Sequence, residues 1–224
     1  MEFANNFARS RQSVRLIGKP GENKMMKQDI LMVGVGGQGI ILLSDILGQV
    51  ALAVGYDVKK TDTLGMAQRG GSVTSHLRIA KKVWSPLITA GEADFLLAFE
   101  KLEAARWANF VKPGGIVVIN NLEIPPLSIS LGTHKYPDES TVLNMFKQRT
   151  DRIYMIDGSK EAKDAGDIRS LNIFMLGFLS AVIPLEITES VWKQCIVERL
   201  PDKIVELNIR AFNRGREVAK VADR

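Results

Sequence analysis

Residues 29–54 constrain this chain more than any other stretch. An apolar run of strand length, DILMVGV (29–35), leads into glycine-rich sequence and then into IILLSDILGQVALAV (40–54), apolar on nearly every side. A helix without a polar face must be buried, and a sheet is the surface that buries it. Gly55 is placed to cap its end. The chain continues in the same manner. Tyr56–Lys60 reads as a short strand. Val73, Ser75, Leu77 and Ile79 alternate with Thr74, His76 and Arg78 at the period of a strand, and Ala80-Lys81-Lys82 is expected to turn it back into Val83-Trp84 as a hairpin or a bent strand. Asp94–Phe99, Ile116–Ile119 and Ile153–Ile156 read as further strands, with Lys112-Pro113-Gly114-Gly115 as a turn. Helices are expected over Lys101–Phe110, Thr141–Gln148, Ser170–Val182 (stopped by Pro184) and Thr188–Arg199. A long amphipathic helix over Lys203–Ala222 has Ile204, Leu207, Ala211 and Val218 on its apolar side. Residues 121–140, rich in Pro, Ser and Gly, read as loop. Strands alternating with helices predict an α/β fold: a Rossmann-like, mostly parallel sheet flanked by helices, with a C-terminal helical segment.

Residues 25–224 are expected to form one domain, preceded by a disordered extension over residues 1–24. That polar segment holds five basic and two acidic side chains, so it carries +3 of the chain's net charge of +5. The remainder shows no basic stripe that would track a phosphate backbone, which argues against nucleic acid as a partner. No apolar run reaches the roughly 18–20 residues that span a bilayer. The chain start lacks the apolar core of a secretory signal. With one cysteine, Cys195, the expected setting is the cytoplasm. A single thiol also excludes a protein-only iron–sulfur site, which usually takes four thiolates. Two histidines, His76 and His134, without helical spacing make a His/Cys zinc site a poor reading. Cys195 is expected to be a buried, inert thiol and His76 a hydrogen-bonded structural or interface residue.

Two glycine segments carry the functional signal. Gly34-Val35-Gly36-Gly37-Gln38-Gly39 satisfies G-x-G-x-x-G between a buried strand and a buried helix. Gly34 and Gly36 can take positive φ and let another group approach the backbone, Gly39 permits close helix–strand packing, and the free N–H groups at the helix start would favour an anion. A tight turn with nothing bound fits equally well. A dinucleotide site would also need an acid at the end of the second strand, for which Asp62 is the one good candidate. The second segment, LGMAQRGGS (64–72), sets Gly65, Gly70 and Gly71 around the cation Arg69, which suits a bidentate hold on phosphate or carboxylate. Met66 and Gln68 complete it, and Ser72 opens the following strand. Gly91-Glu92-Ala93 with Asn120-Asn121 only imitates a thiamine diphosphate motif, because Ala93 stands where glycine is required. Glu100 and Asp157, acids at strand ends, read as caps or partner contacts rather than catalysts.

DILMVGVGGQGI and TDTLGMAQRGGSVTSHLRI together resemble the gamma-type domain of the 2-oxoacid:ferredoxin oxidoreductases. The resemblance continues through AGEADFLLAFEKLEAAR, AGDIRSLNIFMLGFL and NIRAFNRGREVA, over roughly residues 27–219. Within the family the LGMAQRGGSVTSHLR form looks most like the beta subunit of the indolepyruvate enzymes. The alternatives are a gamma subunit of a 2-oxoglutarate, pyruvate or 2-oxoisovalerate enzyme and, from the glycine motif alone, a stand-alone NAD-binding enzyme. The resemblance implies a hetero-oligomer. A larger partner subunit would carry thiamine diphosphate with Mg and the iron–sulfur clusters, coenzyme A would be co-substrate and ferredoxin the electron acceptor. This chain would then hold no catalytic residue and no metal. Gly34, Gly36, Gly37, Gln38, Gly39, Met66, Gln68, Arg69, Gly70, Gly71 and Ser72 would lie beside the active-site entrance. Arg169 and Asn172 match the family's arginine-to-asparagine stretch and are expected to serve packing or an interface.

Overall fold

The computed structural model describes residues 26–65, 70–126, 129 and 135–222. Six strands form one sheet: β1 (Gln28–Val35), β2 (Asp57–Leu64), β3 (Ser72–Ala80), β4 (Ala93–Ala98), β5 (Val111–Asn120) and β6 (Ile153–Ile156), in the order β2-β3-β1-β4-β5-β6. β1, β4, β5 and β6 run parallel, whereas β3 is antiparallel to both β1 and β2. The sheet is therefore mixed, with its parallel half as expected. The described α-helices are α1 (Ile40–Ala53), α2 (Lys101–Arg106), α3 (Glu139–Lys147), α4 (Gly158–Asp164), α5 (Leu171–Val182), α6 (Glu189–Arg199) and α7 (Asp202–Ala222).

The larger core lies on one face of the sheet. Met32, Val58, Leu77, Leu97 and Val118 meet Leu43 and Leu47 of α1, Phe174 and Phe178 of α5, Trp192 of α6 and Phe212 of α7. The opposite face is thinner, with Leu31, Val33, Leu96, Val117 and Ile119 under Ala104 of α2 and Val142 and Phe146 of α3. α5 and α7 cross at Gly177 and Gly215. A Cβ on Gly177 would stand 2.9 Å from the Phe212 carbonyl carbon, and one on Gly215 would stand 2.8 Å from the Phe178 nitrogen. The buried stripe of α7 is accordingly Asn208, Ala211, Phe212, Gly215 and Ala219. Of the predicted stripe only Ala211 is fully buried, because close approach selects small residues and leaves Ile204 and Val218 as flanks.

Several expectations are corrected. β2 continues to Leu64 because it pairs with β3 along its whole length. No strand returns through Val83-Trp84. Instead the Arg78 guanidinium holds Asp29 (2.9 and 3.1 Å) and the Leu87 carbonyl (3.0 Å), and Asp57 accepts the Val83 N–H, so the chain crosses the sheet end as a bend. The predicted 112–115 turn lies inside β5, where Gly114 (φ 72°) bulges the strand and the register slips between Ala93 and Phe95. The predicted helix over 101–110 ends at Arg106, with a 3₁₀ turn over Ala108–Phe110. α4 was not anticipated. No helix of the described residues is long and apolar enough to cross a membrane.

His76 lies on the thinner face, where its Nδ1 accepts the Ile88 N–H at 3.2 Å and its ring meets Trp107 and Phe110 edge-on. Burial lowers its pKa from the usual 6.5. The unfolded chain takes up the proton first as pH falls. The neutral ring's contribution is therefore complete above the unfolded pKa and is lost on acidification toward the folded one. His76→Gln is expected to flatten the fall in unfolding free energy on acidification below the ordinary histidine value of 6.5, read by urea denaturation. An unchanged slope would assign that fall to other groups.

Candidate functional site

The first glycine segment turns the chain from β1 into α1 at the sheet's switch point. α1 leaves β1 on one face, and α2 leaves its neighbour β4 on the other. Gly34 has no room for a side chain: a Cβ would stand 2.5 Å from Gln38 Oε1 and 2.8 Å from Phe99 Cβ. The positive φ angles fall at Gly37 (103°) and Gly39 (76°), not at Gly34 and Gly36. Gly39 makes its close approach to Asn172 of α5 rather than to a strand, with 2.6 Å from a notional Cβ to Nδ2. These two left-handed residues let Gln38 fold back between the strand ends. Its Oε1 accepts the Val35 N–H (2.7 Å) and its Nε2 donates to the Phe99 carbonyl (3.0 Å).

The second segment docks against the first. The Gly36 N–H donates to the Gly71 carbonyl (2.8 Å) and the Gly65 N–H to the Ser72 carbonyl (2.8 Å). The Ser72 hydroxyl donates to buried Glu103 (2.6 Å), which also receives Arg106 (2.6 Å). Val35, Gly36, Gly37, Gly39, Ile40, Ile41, Leu64, Gly65 and Val73 line an open, largely apolar cavity of about 440 Å³. Leu64 stands 60% exposed at its rim. Sequence reasoning thus brought the two segments to one place without foreseeing the bond that joins them. Met66, Gln68 and Arg69 lie outside the described residues, as do residues 1–24 and His134.

The dinucleotide reading fails at Asp62. That residue sits opposite Ser75, which sits opposite Met32, so it lies short of the strand ends and on a strand separated from β1 by β3. A ribose-binding acid belongs on the strand beside β1, at its carboxyl end. Asp62 instead pairs with the nearly buried Lys60 (3.0 Å), which also holds Asp45 and the Ser44 hydroxyl (2.9 Å).

The remaining strand-end groups are structural. Glu100 caps α2 through the Glu103 N–H (2.8 Å) and also receives the Ile124 N–H (3.1 Å) and the Tyr136 hydroxyl. Burial and the Glu100 carboxylate push the Tyr136 pKa upward. Asp157 accepts from Asn121 (2.9 Å). Asn120 donates to the Phe99 carbonyl (3.1 Å) and to Ser159 (3.0 Å), so its amide is committed to the protein. Asn172 is buried and donates to the Gly39 carbonyl (3.3 Å). The Arg169 side chain is 88% exposed and held only by Asp167 among the described residues. Cys195 is buried, and desolvation pushes its thiol up to about 11, the wrong direction for a metal-binding thiolate. The positioning role of Glu103 was missed, whereas Asn172, expected to serve packing or an interface, packs against Gly39. A long amide between two glycines, Gly37-Gln38-Gly39, was the one available signal for the bridge that Gln38 makes.

The family model described as pyruvate ferredoxin/flavodoxin oxidoreductase matches residues 29–218. The indolepyruvate oxidoreductase subunit IorB of Thermococcus kodakarensis is 36% identical over 197 residues, 88% of this chain and 98% of that protein. The subunit of the same name from Methanothermobacter thermautotrophicus is 38% identical over 192 residues, 85% of this chain and 96% of its own. Among solved structures, the keto/oxoacid ferredoxin oxidoreductase gamma subunit of Geobacter sulfurreducens superposes with a TM-score of 0.64 at 25% identity, covering 87% of this chain and 99% of that one.

Proposed function

This chain belongs to the pyruvate ferredoxin/flavodoxin oxidoreductase family, and from that membership we propose that it is the cofactor-free subunit of an indolepyruvate-type 2-oxoacid:ferredoxin oxidoreductase. The reaction is oxidative decarboxylation of an aryl 2-oxo acid to its acyl-coenzyme A, with ferredoxin taking the electrons. The observation that carries this reading is the likeness to the IorB subunits along nearly their whole length, at 36% and 38% identity.

Thiamine diphosphate, Mg and iron–sulfur clusters belong, on this reading, to a larger partner subunit. Their chemistry is carbanion formation and electron transfer. The described residues of this chain do not fit them: its one thiol is buried with a raised pKa, and the Asn120 amide is engaged by the protein. What the chain offers is a surface. In the first glycine turn the Gly36 and Gln38 N–H groups are used internally, whereas those of Gly37, Gly39 and Ile40 meet no backbone acceptor among the described residues. Unspent N–H groups at a helix start suit a phosphate. With Arg69 they would hold coenzyme A phosphates at the active-site entrance.

In the reconstituted complex, Arg69→Ala is expected to raise KM for coenzyme A about tenfold with little change in kcat, since loss of uniform binding appears in KM. An unchanged KM together with unchanged assembly would remove Arg69 from this role. Comparing kcat/KM for indolepyruvate, phenylpyruvate, pyruvate and 2-oxoglutarate tests the substrate class. Preference for either aliphatic acid would overturn the aryl assignment. The isolated chain is expected to be colourless and unable to decarboxylate any of the four.

A further inference from the structure

We propose that the outer edge of β2 is an interface to a second copy of this chain, pairing antiparallel with the same strand of that copy about a twofold axis at Thr61. The inference stands apart from the function proposed above and concerns how the chain assembles. Among the described residues β2 has a strand on one side only, β3. The Gly65 N–H donates to the Ser72 carbonyl (2.8 Å), which continues the β2–β3 register by one pair. Hydrogen-bonded pairs alternate along an antiparallel ladder. Asp57, Lys59, Thr61 and Thr63 therefore turn their backbone groups toward β3, and Val58, Lys60, Asp62 and Leu64 turn theirs outward. Such a row of outward N–H and C=O groups is a template for another strand.

Charge decides which strand fits. A twofold axis through the sheet sets even-numbered residues opposite even ones and odd opposite odd, because opposed side chains share a face. Two such registers pair seven of the strand's eight residues. Centred on Lys60, the axis would oppose two ammonium groups. Centred on Thr61, it pairs residues 58–64: each Lys60 meets an Asp62, each Lys59 a Thr63, and the exposed Leu64 lies opposite Val58. Both Lys60–Asp62 pairs fall on outward residues, which exchange backbone bonds across the axis. A lone lysine guards an edge against a neighbouring strand. This one has a counter-charge two residues on, where an antiparallel copy needs it. Asp62 gives Oδ2 to its own Lys60 (3.0 Å), while its Oδ1 is buried with no hydrogen-bond partner among the described residues. An unmet buried acceptor is costly, and the second copy brings an ammonium group opposite it.

The test uses the full chain, alone and in its complex with the larger subunit. Thr61→Cys sets two thiols opposite each other at a non-hydrogen-bonded pair, where Cα atoms stand about 4.5 Å apart, within disulfide reach. Mild oxidation is expected to link more than about half of that variant into a dimer. Thr63→Cys, which faces Lys59 of the other copy, is expected to stay below about a tenth, as is the unaltered chain, whose one thiol is buried. Thr61→Glu and Thr61→Lys each oppose like charges across the axis. Each alone is expected to weaken self-association about tenfold by light scattering on dilution, and mixing the two is expected to restore it, which also shows both to be folded. No cross-link at residue 61, or equal linking at residue 63, overturns the proposal. So does self-association that neither charge weakens or that mixing does not restore. A cross-link in the isolated chain that the larger subunit abolishes gives the edge to that subunit and overturns it as well. Failure of the functional reading is separate: the chain would not assemble with the larger subunit, whatever the cross-link shows.

Discussion

Gly215→Ala is expected to destabilise the chain by roughly 2–4 kcal/mol, lowering Tm by several degrees. Alanine is the better helix former by about 1 kcal/mol, so propensity alone predicts the opposite sign. Steric overlap decides. The added methyl would enter the backbone of α5 at the Phe174 carbonyl oxygen and the Phe178 nitrogen, neither of which can rotate away. Gly177→Ala meets the Phe212 backbone from the other side and should behave alike. The two helices would have to separate, opening the core around Phe174, Phe178 and Phe212. Gly114→Ala is the control. It carries a positive φ but has nothing within 4 Å of a notional Cβ, so only the backbone cost of about 1 kcal/mol applies. Thermal melts that place Gly215→Ala at or above Gly114→Ala would contradict the close crossing.

The second large effect is expected at Gly39. Gly39→Ala combines a left-handed φ of 76°, costing about 1–2 kcal/mol for an L side chain, with a clash on the Asn172 amide. In the assembled enzyme this should raise KM for coenzyme A by tenfold or more, since the displaced donors are those proposed to hold it. A double-mutant cycle separates the two causes. Asn172→Ala removes the overlap with the amide and leaves the φ strain and a Cβ contact at 3.1 Å, so Gly39→Ala should cost less stability in that background, with a coupling of about 1 kcal/mol. Additive effects would mean that Asn172 yields freely.

The alternation of apolar runs and helices made the parallel half of the sheet legible, because β1, β4 and β5 are buried on both faces and read as continuous apolar stretches. β3 was legible as a strand but not as an antiparallel insertion. Nothing local in SVTSHLRIA records which neighbours it takes, and only its register with Gln28–Val35 settles that. α4 escaped notice because GSKEAKD buries only Gly158 and Ala162, too few apolar positions to show a period. At the site, glycine spacing located the two segments, since close backbone approach demands that residue. The carbonyls that Gln38 and Asn172 donate to lie 61 and 133 residues away in the chain, a distance that no motif encodes. Asp62 could not be weighed from sequence, because the place of an acid on a strand means little until strand order and register are known.

The insertion of β3 between β1 and β2 bears on how the chain acquires its structure. β2 has no neighbour until β3 forms, so the two should pair first, as a unit of short sequence separation, and then dock on β1. The chain between Leu64 and Ser72 is the connection that closes this pair. Lengthening it would slow refolding by raising the cost of closing that loop, so variants of that segment call for stopped-flow refolding alongside steady-state kinetics.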